Sequence, residues 1–148
     1  MKERVREITV DEIPDLIIKL KEFENASCFV KVDIDYSSQR CRNLMENGAG
    51  TVFGLFDRSG EIIGGLGCLK GRELSTGIMI ADETFWFVTP GRRGNGLKLF
   101  DAFEKWADDN GCPKRAMIHM VDSHPAILQK FYESNGYKLI ELHYVKEV

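Results

Sequence analysis

Val88-Thr89-Pro90-Gly91-Arg92-Arg93-Gly94-Asn95-Gly96-Leu97-Lys98 is the stretch on which the reading of this chain turns. It follows an aromatic, β-rich run, Glu83-Thr84-Phe85-Trp86-Phe87-Val88, and opens an amphipathic helix with Leu99, Phe100, Phe103, Trp106 and Ala107 on one face. Asn110-Gly111, with Pro113 just beyond, closes that helix. The order is strand, glycine-rich turn, helix. Gly94 and Gly96 remove Cβ atoms, so backbone N–H groups at the positive end of the helix dipole can approach an anion. Arg92, Arg93 and Lys98 place positive side chains beside them, which suits a ligand with more than one phosphate. An ordinary strand-to-helix connection with two turn glycines and solvated arginines accounts for the same residues.

Two nucleotide motifs lose ground at particular residues, and an unrelated nucleotide-binding domain stays as a third reading. Gly91 and Gly96 have the spacing of a Walker A loop, but Leu97 stands where its lysine belongs and no hydroxyl follows. A dinucleotide fingerprint requires a third glycine at position 99, which is Leu99. What remains is Val88-x-Pro90 followed by Arg93-Gly94-Asn95-Gly96, and a second motif, Pro125 to Tyr137, in which Tyr132 precedes Gly136-Tyr137 by four residues.

In these two motifs, and over about Glu83 to Val148, the chain resembles the GNAT superfamily of acetyl-CoA-dependent N-acetyltransferases. The strand Glu83-x-Phe85-Trp86-Phe87-Val88 and the ending Tyr144-Val145-Lys146 resemble a small phage and bacterial subgroup. Gly91 and Lys98 depart from the family loop in one register each, and Ser123-His124 stand where relatives often carry Asn. The resemblance implies an α/β (α+β) fold, a mixed, largely antiparallel sheet flanked by helices, as a single domain over residues 1–148. It implies acetyl-CoA as cosubstrate, without a metal, held by Phe87, Val88, Arg92, Arg93, Gly94, Asn95, Gly96, Leu97 and Lys98. It implies direct transfer to a primary amine of a small molecule or a protein, with Tyr132 protonating the departing thiolate. A backbone N–H near Val88 would polarise the carbonyl. Glu83 is the expected base, with Asp82, His124 or water as alternatives. A non-catalytic CoA-binding or interaction module on the same fold is the competing reading.

Bulk properties agree with one domain. The 148 residues are 43% hydrophobic and 29% charged, enough for one well-buried core. A net charge of -3 argues against a general nucleic-acid binder. The apolar runs are too short to span a membrane and no signal-peptide core follows the charged N-terminus, so a cytoplasmic protein is expected. Cys28, Cys41, Cys68 and Cys112 are scattered and form no cluster with His119, His124 or His143, which argues against a zinc site.

The remaining chain divides by pattern. Arg4–Thr9 reads as a strand, then a helix capped by Asp11 with Ile13, Leu16, Ile17, Leu20 and Phe23 on one face and Pro14 in its first turn. A second helix is expected over Ser38–Asn47, with Cys41, Leu44 and Met45 buried. Between them lie Phe29 and Tyr36, and the acids Glu22, Glu24, Asp33 and Asp35 offer either an attraction for a cationic amine or a solvated surface. Thr51–Phe56 and Glu61–Leu69 form a hairpin about Asp57-Arg58-Ser59-Gly60. Gly64, Gly65 and Gly67 within it signal a bend or a close backbone approach. A loop over Lys70–Gly77, a central strand over Ile78–Val88, a strand over Arg115–Val121, a short helix from Pro125 and a last strand over Tyr137–Val145 follow. Relatives often continue with one more hairpin, so a wall of the acceptor site is expected either to be short or to come from a partner chain, which would make a homodimer.

Overall fold

Why α1 starts where it does is decided by Glu12, not by Asp11. In the computed structural model, which describes every residue except 1–2, 25–30, 93–94, 121 and 123–124, the Glu12 carboxylate accepts the Thr9 backbone N–H at 2.8 Å. It also accepts both terminal nitrogens of Arg6, each at 2.8 Å. The guanidinium first of all holds this carboxyl at about 2, far below the ordinary range. A 3-10 turn, Val10–Glu12, therefore precedes α1 (Ile13–Phe23), and Asp11 lies inside that turn instead of capping. Pro14 falls in the first helical turn, where its missing N–H has no helical partner to lose. α2 (Ile34–Glu46) likewise begins earlier than its apolar pattern suggests, because the Asp33 side chain accepts the Tyr36 N–H at 2.9 Å.

The chain divides into two compact units, Met1–Ile118 and His119–Val148. In the first, β1 (Arg4–Glu7), β2 (Gly50–Phe56), β3 (Ile62–Arg72), β4 (Met79–Val88) and β5 (Lys114–Ala116) form one sheet in that order. Neighbours are antiparallel except the last pair, β4 with β5. α3 (Leu97–Asp109) connects those two parallel strands.

Alternation along the strands feeds two cores, one on each side of the sheet. Ile13, Leu16, Ile17 and Leu20 of α1 pack with Val52, Phe56, Ile62 and Phe87. Leu99, Phe103, Trp106 and Ala107 of α3 pack with Leu55, Leu66, Cys68 and Ala81. The five apolar positions of the α3 face are all buried, as the sequence predicts. The glycine run of β3 has a direct steric reason. A Cβ on Gly65 would stand 2.9 Å from Leu16 Cδ1 and 3.0 Å from the Phe87 ring. On Gly67 it would stand 2.2 Å from Thr84 Oγ1 and 2.6 Å from the Phe85 ring.

Other boundaries also differ from the sequence expectation, among them the end of β1 at Glu7. β3 continues to Arg72, since Gly71 and Arg72 pair with Ile80 and Met79, and the Glu73 N–H closes the turn on the Ile78 carbonyl at 2.8 Å. β5 stops at Ala116, and the expected end of that strand, Val121, lies outside the described residues. In the second unit, α4 (Pro125–Ser134) forms as predicted, while Tyr137–Val145 is not a strand. A strand needs a neighbour to pair with, and among the described residues of that unit α4 is the one regular element. No described helix is long and apolar enough to cross a membrane.

Candidate functional site

β4 changes character in its middle. Cys68 pairs with Glu83 and Gly67 pairs with Phe85, so Thr84 is an extra residue and β4 carries a bulge. Before the bulge, Ile80, Ala81 and Asp82 pair with Lys114, Arg115 and Ala116 of β5. After it, β4 pairs with β3 alone among the described residues. The Ile118 N–H, two residues beyond β5, donates to the Glu83 carboxylate.

Glu83 is the buried member of the acidic pair, 5% exposed. Burial raises its carboxyl to about 8, and the Ile118 N–H offsets only part of that. Asp82 is half-buried, and burial raises it too. Across the strands, the Cys68 thiol is pushed up by burial first and then by the Glu83 and Glu7 carboxylates, so it is held as an unreactive thiol.

The end of β4 delivers the backbone expected to polarise a carbonyl. The Thr89 N–H donates to the Ile63 carbonyl at 2.8 Å, which fixes the alternation of the strand. The Val88 N–H therefore points away from β3, toward the edge that β5 does not reach. The Phe87 side chain is a core group, 2% exposed, with its ring centroid 6.2 Å from those of Phe23 and Phe85.

The turn that follows is braced from outside. Gly91 has φ +82°, a conformation that glycine adopts without strain. Arg92 reaches Asp57 with Nη2 3.5 Å from Oδ2. Asp57 is itself fixed by the Ser59 hydroxyl at 2.6 Å, the Ser59 N–H at 2.8 Å and the Glu61 N–H at 3.0 Å, and these bonds hold its carboxyl below the usual range. The Asn95 amide donates to the Glu3 carboxylate, and Lys98 Nζ donates to the Glu3 carbonyl at 3.3 Å. Gly96 is buried with helical angles, φ -58° and ψ -28°, and Leu97 is exposed. Arg93 and Gly94 lie outside the described residues.

Tyr132 sits on α4, buried, among the rings of Phe131 at 5.8 Å, Tyr137 at 5.9 Å and His119 at 6.3 Å. The helix end positions this group. Gly136 takes φ +86°, and the Tyr137 N–H folds back to the Tyr132 carbonyl at 3.0 Å. His119 is half-buried but lies outside any strand; His124, Cys28 and Phe29 are outside the described residues.

Of the acids proposed to attract an amine, two have structural tasks. Glu24 accepts the Val32 N–H at 2.9 Å, and Asp33 caps α2. Four partners were not legible in the sequence: Asp57 for Arg92, Glu3 for Asn95, Ile118 for Glu83, and His119 for Tyr132. The Asp57-x-Ser59-Gly60 pattern announces a turn, but nothing local announces a cation held from 35 residues away. Among the described residues, no group of three His, Cys, Asp or Glu side chains is placed to hold a metal ion.

The model of the Acetyltransferase (GNAT) family matches residues 15–137. No curated protein matches the chain in sequence. Solved structures match it over its length. A transcriptional regulator from Bacillus halodurans C-125 has a TM-score of 0.79 at 16% identity, with 99% of each chain covered. A ribosomal-protein-alanine N-acetyltransferase from Brucella melitensis biovar Abortus 2308 has 0.75 at 17% identity, with 100% of each covered. An aminoglycoside acetyltransferase from an uncultured soil metagenomic sample has 0.75 at 18% identity, covering 100% of this chain and 99% of that one. At these identities the likeness is one of fold.

Proposed function

The chain belongs to the GNAT acetyltransferase family, and from that premise we propose that it transfers an acetyl group from acetyl-CoA directly to a primary amine of a small molecule or a protein. The observation that carries this reading is Glu83, a buried carboxyl held near 8 on the half of β4 that keeps an open edge. A carboxyl of that kind is matched to taking a proton near neutral pH.

Acetyl-CoA supplies an acyl thioester and a chain of phosphates, and the residues suit both. α3 begins with no acidic residue in its first turn, while Arg92 and Lys98 add positive charge there. Arg93, Gly94, Asn95, Gly96 and Leu97 complete the phosphate-receiving turn in this reading. Phe87 belongs to it through the strand it anchors. The Val88 N–H donates to the acetyl oxygen as negative charge gathers there. Glu83 takes the amine proton, directly or through water. Tyr132 gives its proton to the departing sulfur.

Calorimetry with acetyl-CoA, CoA and ATP under one set of conditions tests the cofactor, and release of free thiol with a broad panel of amines tests the transfer. Selective binding of the acetylated coenzyme together with amine-dependent release supports the enzyme. Absence of binding by acetyl-CoA and CoA overturns it. Binding without release favours a non-catalytic CoA-binding module, and one observation leans that way: Arg92 and Asn95 already hold Asp57 and Glu3 as partners.

A further inference from the structure

One buried side-chain nitrogen of the unit His119–Val148 has no hydrogen-bond partner among the described residues: Nε2 of His119. The imidazole and the Tyr132 ring meet in a T-shaped arrangement, with centroids 6.3 Å apart and planes at 65°. The Phe131 and Tyr137 rings also stand against Tyr132, so the Tyr137 phenol is a second titratable group beside it among the described residues. Buried polar atoms are nearly always paired, and one left unpaired is costly. An orphan at this place makes sense if its bond forms in another state of the site.

We propose that His119 is a positioning residue for Tyr132, whose Nε2–H donates a hydrogen bond to the phenol oxygen as that oxygen gives up its proton. The inference rests on reading Tyr132 as the acid. In the step, the Tyr132 O–H bond breaks, its proton goes to the departing thiolate sulfur, and its electron pair stays on the phenol oxygen. The imidazole keeps its Nε2 proton throughout, and solvent returns a proton to the tyrosine afterwards. The need for such a donor follows from ordinary acidities. A phenol near 10 is a weak proton source for a thiolate whose thiol lies near ~8.5, and a hydrogen bond to the phenolate narrows that gap.

The competing role is packing, in which the ring matters and the nitrogen does not. His119→Phe keeps a ring without the nitrogen, and His119→Gln keeps a polar group near Nε2 without the ring. The rate is read as thiol release from acetyl-CoA, with water and with the amine panel as acceptors. Donation by Nε2 predicts that His119→Phe lowers kcat about tenfold with KM for acetyl-CoA unchanged, that His119→Gln recovers part of the loss, and that His119→Phe adds nothing in a Tyr132→Phe background. A wild-type kcat in His119→Phe, or a loss that persists in that background, overturns the proposal. If Tyr132→Phe is slow while His119→Phe is not, His119 alone is excluded. If Tyr132→Phe itself keeps the full rate, the acid assignment falls and this proposal with it.

A readout free of turnover uses the protein's four tyrosines. With ring-labelled tyrosine and CoA bound, the Tyr132 phenol, assigned through Tyr132→Phe, should titrate at lower pH in the wild type than in His119→Phe. Equal midpoints overturn the proposal.

Discussion

From Ile80 to Asp82, β4 is flanked by β3 and β5; from Glu83 to Val88 it keeps β3 alone among the described residues. The first half is held on both sides. Ala81 is fully buried, and Ile80, Ala81 and Asp82 have strand partners on both edges. The second half begins at a bulge, carries a buried carboxyl whose N–H donor comes from Ile118, and runs out into a braced turn. The difference teaches how one strand serves two purposes. Pairing on both edges anchors the chain, and the half that keeps one partner is where the proposed function places its chemistry.

The strongest challenge to that contrast is Glu83→Gln. Acetyl transfer should fall about 100-fold or more, and the rise of the wild-type rate with pH, centred near 8, should vanish. Full activity in the variant would leave the open half with no chemical distinction. The same substitution affects stability in a defined direction. A carboxyl raised in the folded state binds protons that the unfolded chain releases, so the Glu83 contribution to stability is full below the usual carboxylate range. It declines as pH climbs to about 8 and levels off above. Denaturant midpoints measured across that window should show a slope that Glu83→Gln flattens; an unchanged slope would assign it to other groups.

Gly67→Ala tests the bulge that separates the halves. The new methyl meets Thr84, which can rotate, and the Phe85 ring, whose centroid lies 6.2 Å from that of Phe87. A loss of about 2 kcal/mol in urea unfolding is expected, and a neutral result would show that the bulge yields at no cost. Arg93→Glu sharpens the contrast at the turn, where acetyl-CoA should bind about tenfold more weakly by calorimetry. Unaltered affinity would sever the turn from the cofactor. Least of all should Asp82→Asn change, since it lies in the doubly paired half; a rate loss equal to that of Glu83→Gln would move the base to Asp82.

Sequence disclosed the elements whose signals are local. The α3 face, the Gly111 and Gly136 helix ends and the glycine run of β3 were each written in adjacent residues. Asp33 as the cap of α2 and Glu12 as the anchor of α1 were present in the text but outweighed by apolar spacing. Hidden features are those in which distant residues meet. β5 ends at Ala116 and the Ile118 N–H bonds the distant Glu83 side chain, a pairing that no periodicity encodes. Tyr137–Val145 has the composition of a strand, yet composition cannot supply a neighbour. For the candidate site, the chain announced residue types at the turn, at Glu83 and at Tyr132, while burial, bracing partners and the His119 contact appear only in three dimensions.

Glu3 gives this layout a practical side. Its carboxylate lies on Asn95 and its carbonyl on Lys98, so whatever precedes it in a recombinant protein is joined within a few bonds of the turn. A purification handle fused there would bring its own charges to the place where the coenzyme is to be measured. An affinity recorded with such a handle attached would describe the fusion, and removing the handle belongs before the first titration.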